Sequence, residues 1–188
     1  MTDITNLSTV NVAISNYIAV VTMNNPPVNA QNRQFHDDLT LAFDVLSDRN
    51  DVRSIVLTGA GKCFSAGADI KGRASQESDL GDHWVHSRRV RECFYSIMEC
   101  RKPVIAAING AALGAGLAAA ASADILIASE SASGGLPEIN VGLLGGWRLA
   151  MRLFSHSKTR RLMLTGQRLS GAELYRLGVV EELSLIHI

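Results

Sequence analysis

Alternating apolar and polar residues near the start of the chain predict two short strands. They cover residues 12–15 and 17–23, and the single residue Asn16 between them predicts a tight hairpin. The Asn-Asn-Pro-Pro run at residues 24–27 ends the second strand, because proline has no N–H to give to a neighbouring strand. The pattern therefore predicts that the fold begins with a β-hairpin.

Farther along, helical periods alternate with apolar runs. Apolar residues at steps of three and four predict a helix over residues 32–46, and a second helix around Val90, Phe94 and Ile97. The polar residues 73–82 predict a loop before that second helix. Strands buried in the interior are expected at residues 54–58, 104–108 and 125–128.

The last third of the chain is predicted to be mainly helical. Helical stretches are expected around residues 147–154 and 159–164. Ser170 and Glu173 have the spacing of a capping box, which predicts a helix over residues 171–177 with Gly178 just after its end. Strands alternate with helices along the chain, and no internal repeat or linker interrupts them, so the fold class is a single α/β domain.

Composition and charge narrow the classes of function. Of the 188 residues, 47% are hydrophobic and 19% are charged, which excludes an intrinsically disordered chain. The 18 basic and 18 acidic residues balance, so nothing points to nucleic acid or to an anionic membrane as a partner. Three cysteines predict neither a disulfide framework nor a metal cluster. No secretory signal or membrane-spanning run is evident, so a cytoplasmic protein is expected.

Glycine marks the region where function is expected. Eight of the 16 glycines fall within residues 110–146, and glycine is used where the backbone turns tightly or approaches a ligand. Small-residue turns at residues 64–71 and 109–116 each follow a predicted strand. Two such turns facing each other would aim two backbone N–H groups at one oxygen, which is the geometry of an oxyanion hole. The alternative is that these glycines only allow close packing of helix on strand.

Several sequence blocks together resemble the enoyl-CoA hydratase/isomerase (crotonase) family. The similarity runs in order from about residue 12 to residue 183. It rests on these blocks: Ser-Ile-Val-Leu-Thr-Gly at 54–59, Phe-Ser-Ala-Gly-Ala-Asp-Ile-Lys at 64–71, Lys-Pro-Val-Ile-Ala-Ala-Ile-Asn-Gly at 102–110, Ala-Leu-Gly-Ala-Gly at 112–116, Ala-Asp at 123–124 and Leu-Pro-Glu-Ile-Asn-Val-Gly at 136–142. The resemblance implies a fold of repeated ββα units in a spiral. It also implies assembly as a homotrimer or a dimer of trimers.

The resemblance further implies a site for acyl-CoA thioesters, in which coenzyme A is part of the substrate and no separate cofactor is needed. Ala68 and Ala115 would donate the two N–H groups of the oxyanion hole, with Gly114 beside the second. Ala66, Asp69, Ile70 and Lys71 would line the acyl-CoA entrance; Lys71 also fits an ordinary solvated lysine.

The predicted catalytic carboxylates depart from the common pattern of hydratases. Glu138, after Pro137, matches the second of the two glutamates that such enzymes place on either side of a water molecule, but the first position is Ala118. One glutamate suffices to move a proton between two carbons of an enolate, so isomerisation of an enoyl-CoA matches the pattern better, with hydration as the second possibility. The alternative class is a non-catalytic acyl-CoA-binding or assembly protein, or an inactive fragment.

The sequence gives weaker evidence for a functional role at several other residues. Gly145 and Gly146 are expected to open a helix, and Trp147 is expected either to wall the acyl pocket or to pack in the core. His83 and His86 are three residues apart without a third metal ligand, so a solvated loop is predicted and no metal site. Arg88, Arg89 and Arg91 are interpreted as a solvated helix face, with a contact to a coenzyme A phosphate or to another subunit as the alternative.

Two segments divide the chain. Residues 1–183 are interpreted as the catalytic domain. Residues 184–188 are interpreted as a foreign or artefactual tail, with a natural end of the chain as the alternative. Because members of the family continue with further helices after the equivalent of residues 179–181, the C-terminal helices are expected to be missing.

Overall fold

A six-stranded sheet forms the centre of the computed structural model, which describes residues 4, 6–74 and 80–184. Its spatial order is β1-β2-β4-β7-β9-β12, and every neighbouring pair is parallel except the first. The strands are β1 (Val10–Ser15), β2 (Ile18–Met23), β4 (Ser54–Gly59), β7 (Val104–Ile108), β9 (Ile125–Ser129) and β12 (Glu182–Ser184).

The predicted hairpin is confirmed at β1 and β2. Val10 pairs with Met23 and Ser15 with Ile18, so the turn consists of Asn16 and Tyr17. Both turn residues have positive φ angles, 50° and 65°, as a two-residue hairpin turn requires. The second strand therefore begins one residue later than predicted.

Short strands that follow the long ones form a second, four-stranded sheet. Its order is β11-β10-β8-β5, with β5 (Cys63–Ser65), β8 (Ala111–Leu113), β10 (Ser133–Gly135) and β11 (Arg168–Ser170). Three pairs of strands follow each other along the chain: β4 with β5, β7 with β8, and β9 with β10. The first strand of each pair lies in the large sheet, the second lies in the small sheet, and the equivalent strands are neighbours in both. This repetition is the ββα spiral that the resemblance predicted. A third pair, β3 (Ala30–Gln31) with β6 (Gly67–Ala68), runs in parallel beside the small sheet.

The first helix, α1 (Arg33–Asp48), covers the large sheet and confirms the helix predicted over residues 32–46. Asn32 caps it by accepting a hydrogen bond from the Phe35 N–H at 2.8 Å. Phe35, Leu39 and Phe43 form its buried face, as the spacing of three and four predicted.

The prediction of a loop at residues 73–82 is wrong at both ends of that range, where the structure has helices. Helix α2 (Ile70–Ala74) reaches into it, and α3 (Leu80–Met98) begins at Leu80; residues 75–79 lie outside the described part of the chain. The first half of α3 is largely exposed, and its buried side chains, Cys93, Phe94 and Ile97, all lie in its last turns. Leu80, Trp84 and Val85 are apolar but exposed. No buried stripe therefore marks the N-terminal half, and the sequence pattern did not reveal where the helix begins.

Short elements complete the chain after α4 (Ala115–Ala121). A 3₁₀ helix spans Pro137–Val141, and α5 (Trp147–Ala150) is shorter than the helix predicted over residues 147–154. Helices α6 (His156–Thr165) and α7 (Gly171–Arg176) follow. The Ser170 cap is confirmed, since its hydroxyl accepts from the Glu173 N–H. Ser184, the first residue of the predicted tail, ends β12 opposite Ser129, and residues 185–188 lie outside the described residues.

Candidate active site

The two glycine-bearing turns singled out by the sequence lie in contact through their backbones. A Cβ atom on Gly67 would lie 2.6 Å from the carbonyl oxygen of Leu113 and 3.1 Å from the backbone nitrogen of Ala115, and Gly67 has a φ of +92°. Only glycine allows this approach in this conformation. The end of β6 and the start of α4 are thus held side by side, which the sequence could not establish.

The backbone nitrogen of Ala115 belongs to this contact, and Ala68 directly follows Gly67 in the chain. Ala115 is the first residue of α4, where backbone N–H groups have no partner within the helix. On the other side, the Asp69 N–H donates to the Gln31 carbonyl of β3. Because successive N–H groups along a strand point to opposite sides, that of Ala68 points away from β3. Ala68 and Ala115 both line one cavity.

Glu138 reaches the same place from the 3₁₀ helix. A Cβ on Gly114 would lie 2.8 Å from Oε1 of Glu138 and 3.1 Å from its Cδ, so the carboxyl group rests against the bare Cα of Gly114. Oε2 is buried and has no hydrogen-bond partner among the described residues. Burial raises the pKa of the Glu138 carboxyl group above its ordinary value, which makes the carboxylate a stronger base than one in water.

These groups surround a cavity of about 390 Å³, here called the Glu138 cavity. Its other walls are mainly apolar, with Val90 and Phe94 from α3, Ala118 from α4, and Leu143 and Leu144 after the 3₁₀ helix. Among the described residues that line it, Glu138 is the only carboxylate. An apolar cavity with few polar groups in fixed positions is the usual form of a small-molecule site.

A second cavity of about 370 Å³, here called the Asp69 cavity, adjoins the first and shares Ala68 and His86 with it. Asp69 lines it, and its Oδ1 accepts a hydrogen bond from the Gly72 N–H. The two cavities together extend from Glu138 past the turn at Ala68 to the surface near Asp69.

The predicted binding residues are thus largely brought together. Ala66, Ala68, Ile70, Gly114 and Ala115 line the Glu138 cavity, and Asp69 lines the adjoining one. Lys71 is exposed and is not among the residues that line either cavity. The solvated-lysine interpretation describes it best.

The region after Gly142 matches its prediction only in part. Gly145 and Gly146 line the Glu138 cavity, and Gly146 is the N-cap of α5, as expected. Trp147 is 49% exposed and lies in neither cavity wall. Both predictions for this side chain, in the pocket wall and in the core, are therefore wrong.

Two histidines of the Glu138 cavity were missed by sequence reasoning. His86 was assigned to a solvated loop, but it lies on α3 and lines both cavities. His36 of α1 is 1% exposed and also lines the Glu138 cavity. A signal for His36 did exist, because it precedes Leu39 by three residues and Phe43 by seven and so shares their buried face.

The structure also bears on the other side-chain clusters. Arg89, predicted to be solvated, forms an ion pair with Asp37 of α1, so it ties α3 to α1. Within residues 4, 6–74 and 80–184, no group of three or more His, Cys, Asp or Glu side chains is placed to hold a metal ion. None of the helices in that same part of the chain combines the length and apolar character needed to cross a membrane.

Comparison with known proteins points to one family. The profile of the enoyl-CoA hydratase/isomerase family matches residues 13–184. A "Probable enoyl-CoA hydratase" of Bacillus subtilis is 37% identical over 177 residues, which are 93% of this chain and 68% of that protein. A "Probable enoyl-CoA hydratase, mitochondrial" of Dictyostelium discoideum is 36% identical over 88% of this chain and 60% of that protein. The chain therefore spans roughly two thirds of these relatives.

Solved structures agree with the sequence comparison. The structure of Pseudomonas aeruginosa DspI superimposes with a TM-score of 0.86 at 33% identity, and the match covers 94% of this chain and 73% of that one.

Proposed function

The chain belongs to the enoyl-CoA hydratase/isomerase family, and from that premise we propose that it binds an acyl-CoA thioester and moves a proton on its enolate with Glu138. One observation carries the proposal. The carboxyl group of Glu138 rests against Gly114, directly beside the N–H of Ala115, in a cavity whose described lining holds no other carboxylate.

The backbone donors supply the electrostatic part of the reaction. When the carbon next to the thioester loses a proton, negative charge moves onto the thioester oxygen. The N–H groups of Ala68 and Ala115 would donate hydrogen bonds to that oxygen. Each such donor typically contributes about 2.7–4 kcal/mol to stabilisation of the transition state. The apolar walls strengthen this effect by keeping water away.

The single carboxylate supplies the proton transfer. Glu138 would take the proton from C2 of a 3-enoyl-CoA and return it to C4, which shifts the double bond into conjugation with the thioester. The raised pKa of Glu138 suits both halves of this exchange, since the group must accept a proton and then release it. Isomerisation needs no second carboxylate, and Ala118 is the residue at the position where hydratases of this family have one.

Hydration of a 2-enoyl-CoA is the second candidate, favoured by the names of the relatives from Bacillus subtilis and Dictyostelium discoideum. In this reaction Glu138 alone would take a proton from a water molecule as its oxygen bonds to C3, and would return the proton to C2. The expectations of a homotrimer or a dimer of trimers, and of a cytoplasmic location, stay predictions.

The absorbance of the conjugated thioester tests the proposal. With 3-hexenoyl-CoA, isomerisation makes the absorbance rise; with crotonyl-CoA, hydration makes it fall. We expect Glu138→Gln to lower turnover by about 10²–10⁴-fold, as for other general acid–base groups, and to leave thioester binding in place. Binding without turnover by the unaltered chain would favour the non-catalytic alternative, and nearly full activity of the variant would contradict the role of Glu138.

A substitution at Ala118 separates the two reactions. Ala118 lines the cavity on α4, so Ala118→Glu would add a second carboxylate opposite Glu138. We expect the ratio of hydration to isomerisation to rise in this variant. The matched variant Ala118→Gln introduces a side chain of the same size as glutamate but without charge, and it should leave the ratio low. An unchanged ratio in a folded Ala118→Glu protein would show that this position does not face the reacting carbon.

A further inference from the structure

The wall of the Glu138 cavity contains an unusual polar group, the imidazole of His36. The side chain is 1% exposed, and neither Nδ1 nor Nε2 has a partner at regular hydrogen-bond geometry among the described residues; the Asn32 backbone is close enough to act only as a weak acceptor. Buried polar atoms in proteins are nearly always hydrogen-bonded, and those that are not call for an explanation. Because His36 lines the cavity, a ligand in that cavity can supply the partner.

A second imidazole lies beside the first. The ring centroids of His36 and His86 are 6.1 Å apart, and the rings meet edge to face at 76°. His36 is held on α1 and His86 on α3, so the pair joins the two helices that wall this side of the cavity. The neighbouring side chains Val90 and Phe94 are apolar. The two rings therefore form a polar spot within an apolar wall.

We propose that His36 and His86 form a subsite for a hydroxyl group on the acyl chain, so that the substrates are hydroxyl-bearing acyl-CoA thioesters. This inference rests on the proposed acyl-CoA function. A plain hydrocarbon chain in the cavity would leave the buried ring nitrogens of His36 without a partner. A hydroxyl group both donates and accepts, so it fits a neutral imidazole in either tautomer.

The charge around the pair favours a neutral ligand group over a carboxylate. Burial, with smaller contributions from His86 and Arg89 against those of Asp37 and the Asn32 backbone, lowers the pKa of His36 to about 4. His36 is therefore neutral at pH 7. The Arg89 guanidinium nearby is already paired with Asp37. Its positive charge is therefore already balanced by a carboxylate, although Nη1 has no hydrogen-bond partner among the described residues.

Binding of saturated thioesters tests the subsite without any turnover. Isothermal titration calorimetry would compare hexanoyl-CoA with hexanoyl-CoA thioesters that carry one hydroxyl group at carbon 4, 5 or 6; carbon 3 is left out because that thioester is the product of hydration. We expect one of the positional isomers to bind at least about 10-fold more tightly than hexanoyl-CoA, because sites built for a hydroxyl group discriminate strongly against its absence. His36→Phe, similar in shape and without ring nitrogens, should reduce that preference to less than about 2-fold.

Further variants make the result specific. His36→Gln, which keeps a donor and an acceptor, should restore part of the preference, and His86→Phe should weaken it. His156→Phe is the matched control, because His156 is exposed on α6 and lines neither cavity; it should keep the full preference. If His36→Phe does not fold, as judged by circular dichroism, His86→Phe decides the question.

Two outcomes overturn the subsite, and they are distinct from failure of the proposed function. The subsite is wrong if hexanoyl-CoA binds as tightly as all of its hydroxylated forms, or if the preference survives in both the His36 and His86 variants. If hexanoyl-CoA binds no better than free coenzyme A, and neither do its hydroxylated forms, the proposed acyl-CoA function fails and the subsite fails with it.

Discussion

At the scale of single residues, Gly114 connects the backbone conformation of the site to its chemistry. Its φ of 54° and ψ of −118° are unfavourable for residues with a side chain, and the carboxyl group of Glu138 occupies the space that a Cβ would need. One small residue thus allows both the turn into α4 and the approach of the acid to the N–H of Ala115.

Replacing Gly114 with alanine is expected to lower turnover in addition to lowering the free energy of unfolding. Gly142 is the matched control, since it has a φ of +71° but nothing within 4 Å of a Cβ. We expect Gly142→Ala to lower the unfolding free energy by about 1–2 kcal/mol through backbone strain alone, with turnover nearly kept. Gly114→Ala should also push Glu138 aside and lower turnover at least about 10-fold. Equal turnover in the two folded variants would contradict the contact between Gly114 and Glu138.

Glu138 is expected to make stability depend on pH. Because burial raises its folded-state pKa, the folded protein binds this proton more tightly than the unfolded chain does. The favourable contribution is present below the ordinary value of 4.5 and is lost as the pH rises through the raised pKa. At pH 7 the carboxylate therefore destabilises the fold, and turnover should fall when the pH drops through the same raised pKa.

The melting temperature of Glu138→Gln measures this effect. We expect the variant to melt above the unaltered chain at pH 7 and at the same temperature near about pH 3, where both side chains are uncharged. Glu130→Gln, at an exposed position, is the control and should show no such difference. A variant that melts lower at pH 7 would mean that the carboxylate is paired and stabilising.

At the scale of elements, α1 is fastened to the N-terminal segment by Asp38. The backbone N–H and hydroxyl groups of Ser8 and Thr9 all donate to Oδ2 of Asp38 at 2.8–3.0 Å. Burial on its own would raise the pKa of Asp38, but donors from Gln34, Thr9 and Ser8 outweigh it and lower the pKa. This stability is therefore present above the unfolded-state pKa and is lost as the pH falls through the lowered value.

Asp38→Ala should destabilise the fold by about 2–4 kcal/mol at pH 7, because it leaves buried donors unsatisfied. Asp48→Ala on the same helix is the control. Asp48 forms an exposed ion pair with Arg101, and such pairs contribute little. Urea unfolding at pH 7 compares the two variants, and a similar midpoint for both would show that Asp38 does not fasten the helix.

The sequence predicted those elements whose signals are local. The Asn16 turn, the α1 stripe and the Ser170 cap each depend on residues a few positions apart, and all three are confirmed. The start of α3 was missed, because its N-terminal half is largely exposed and carries no buried stripe. The approach of Gly67 to Leu113 and the pairing of His36 with His86 depend on residues more than 40 positions apart. For such contacts, only the resemblance to a family gave any guide, and it did not include the histidines.

At the scale of the whole molecule, one stretch of chain leaves many large apolar side chains exposed. Within thirteen residues, Leu144 is 65% exposed and Trp147 is 49% exposed. The complete set in this stretch is Ile139, Val141, Leu143, Leu144, Trp147 and Met151. Contiguous apolar surface of more than a few hundred Å² is rare on monomers and promotes association.

We therefore expect the 188-residue chain to associate through this stretch. Ile139 and Trp147 belong to it but line neither cavity, so replacing both with lysine should reduce light scattering without removing groups assigned to the site. Ile125→Lys is the control, since Ile125 is similarly exposed but lies at the start of β9; it should leave the scattering high. A monodisperse unaltered chain would contradict this expectation, and so would scattering that falls equally in both variants. The second result would mean that added charge alone keeps the chains apart, because lysine at any exposed site raises repulsion between copies.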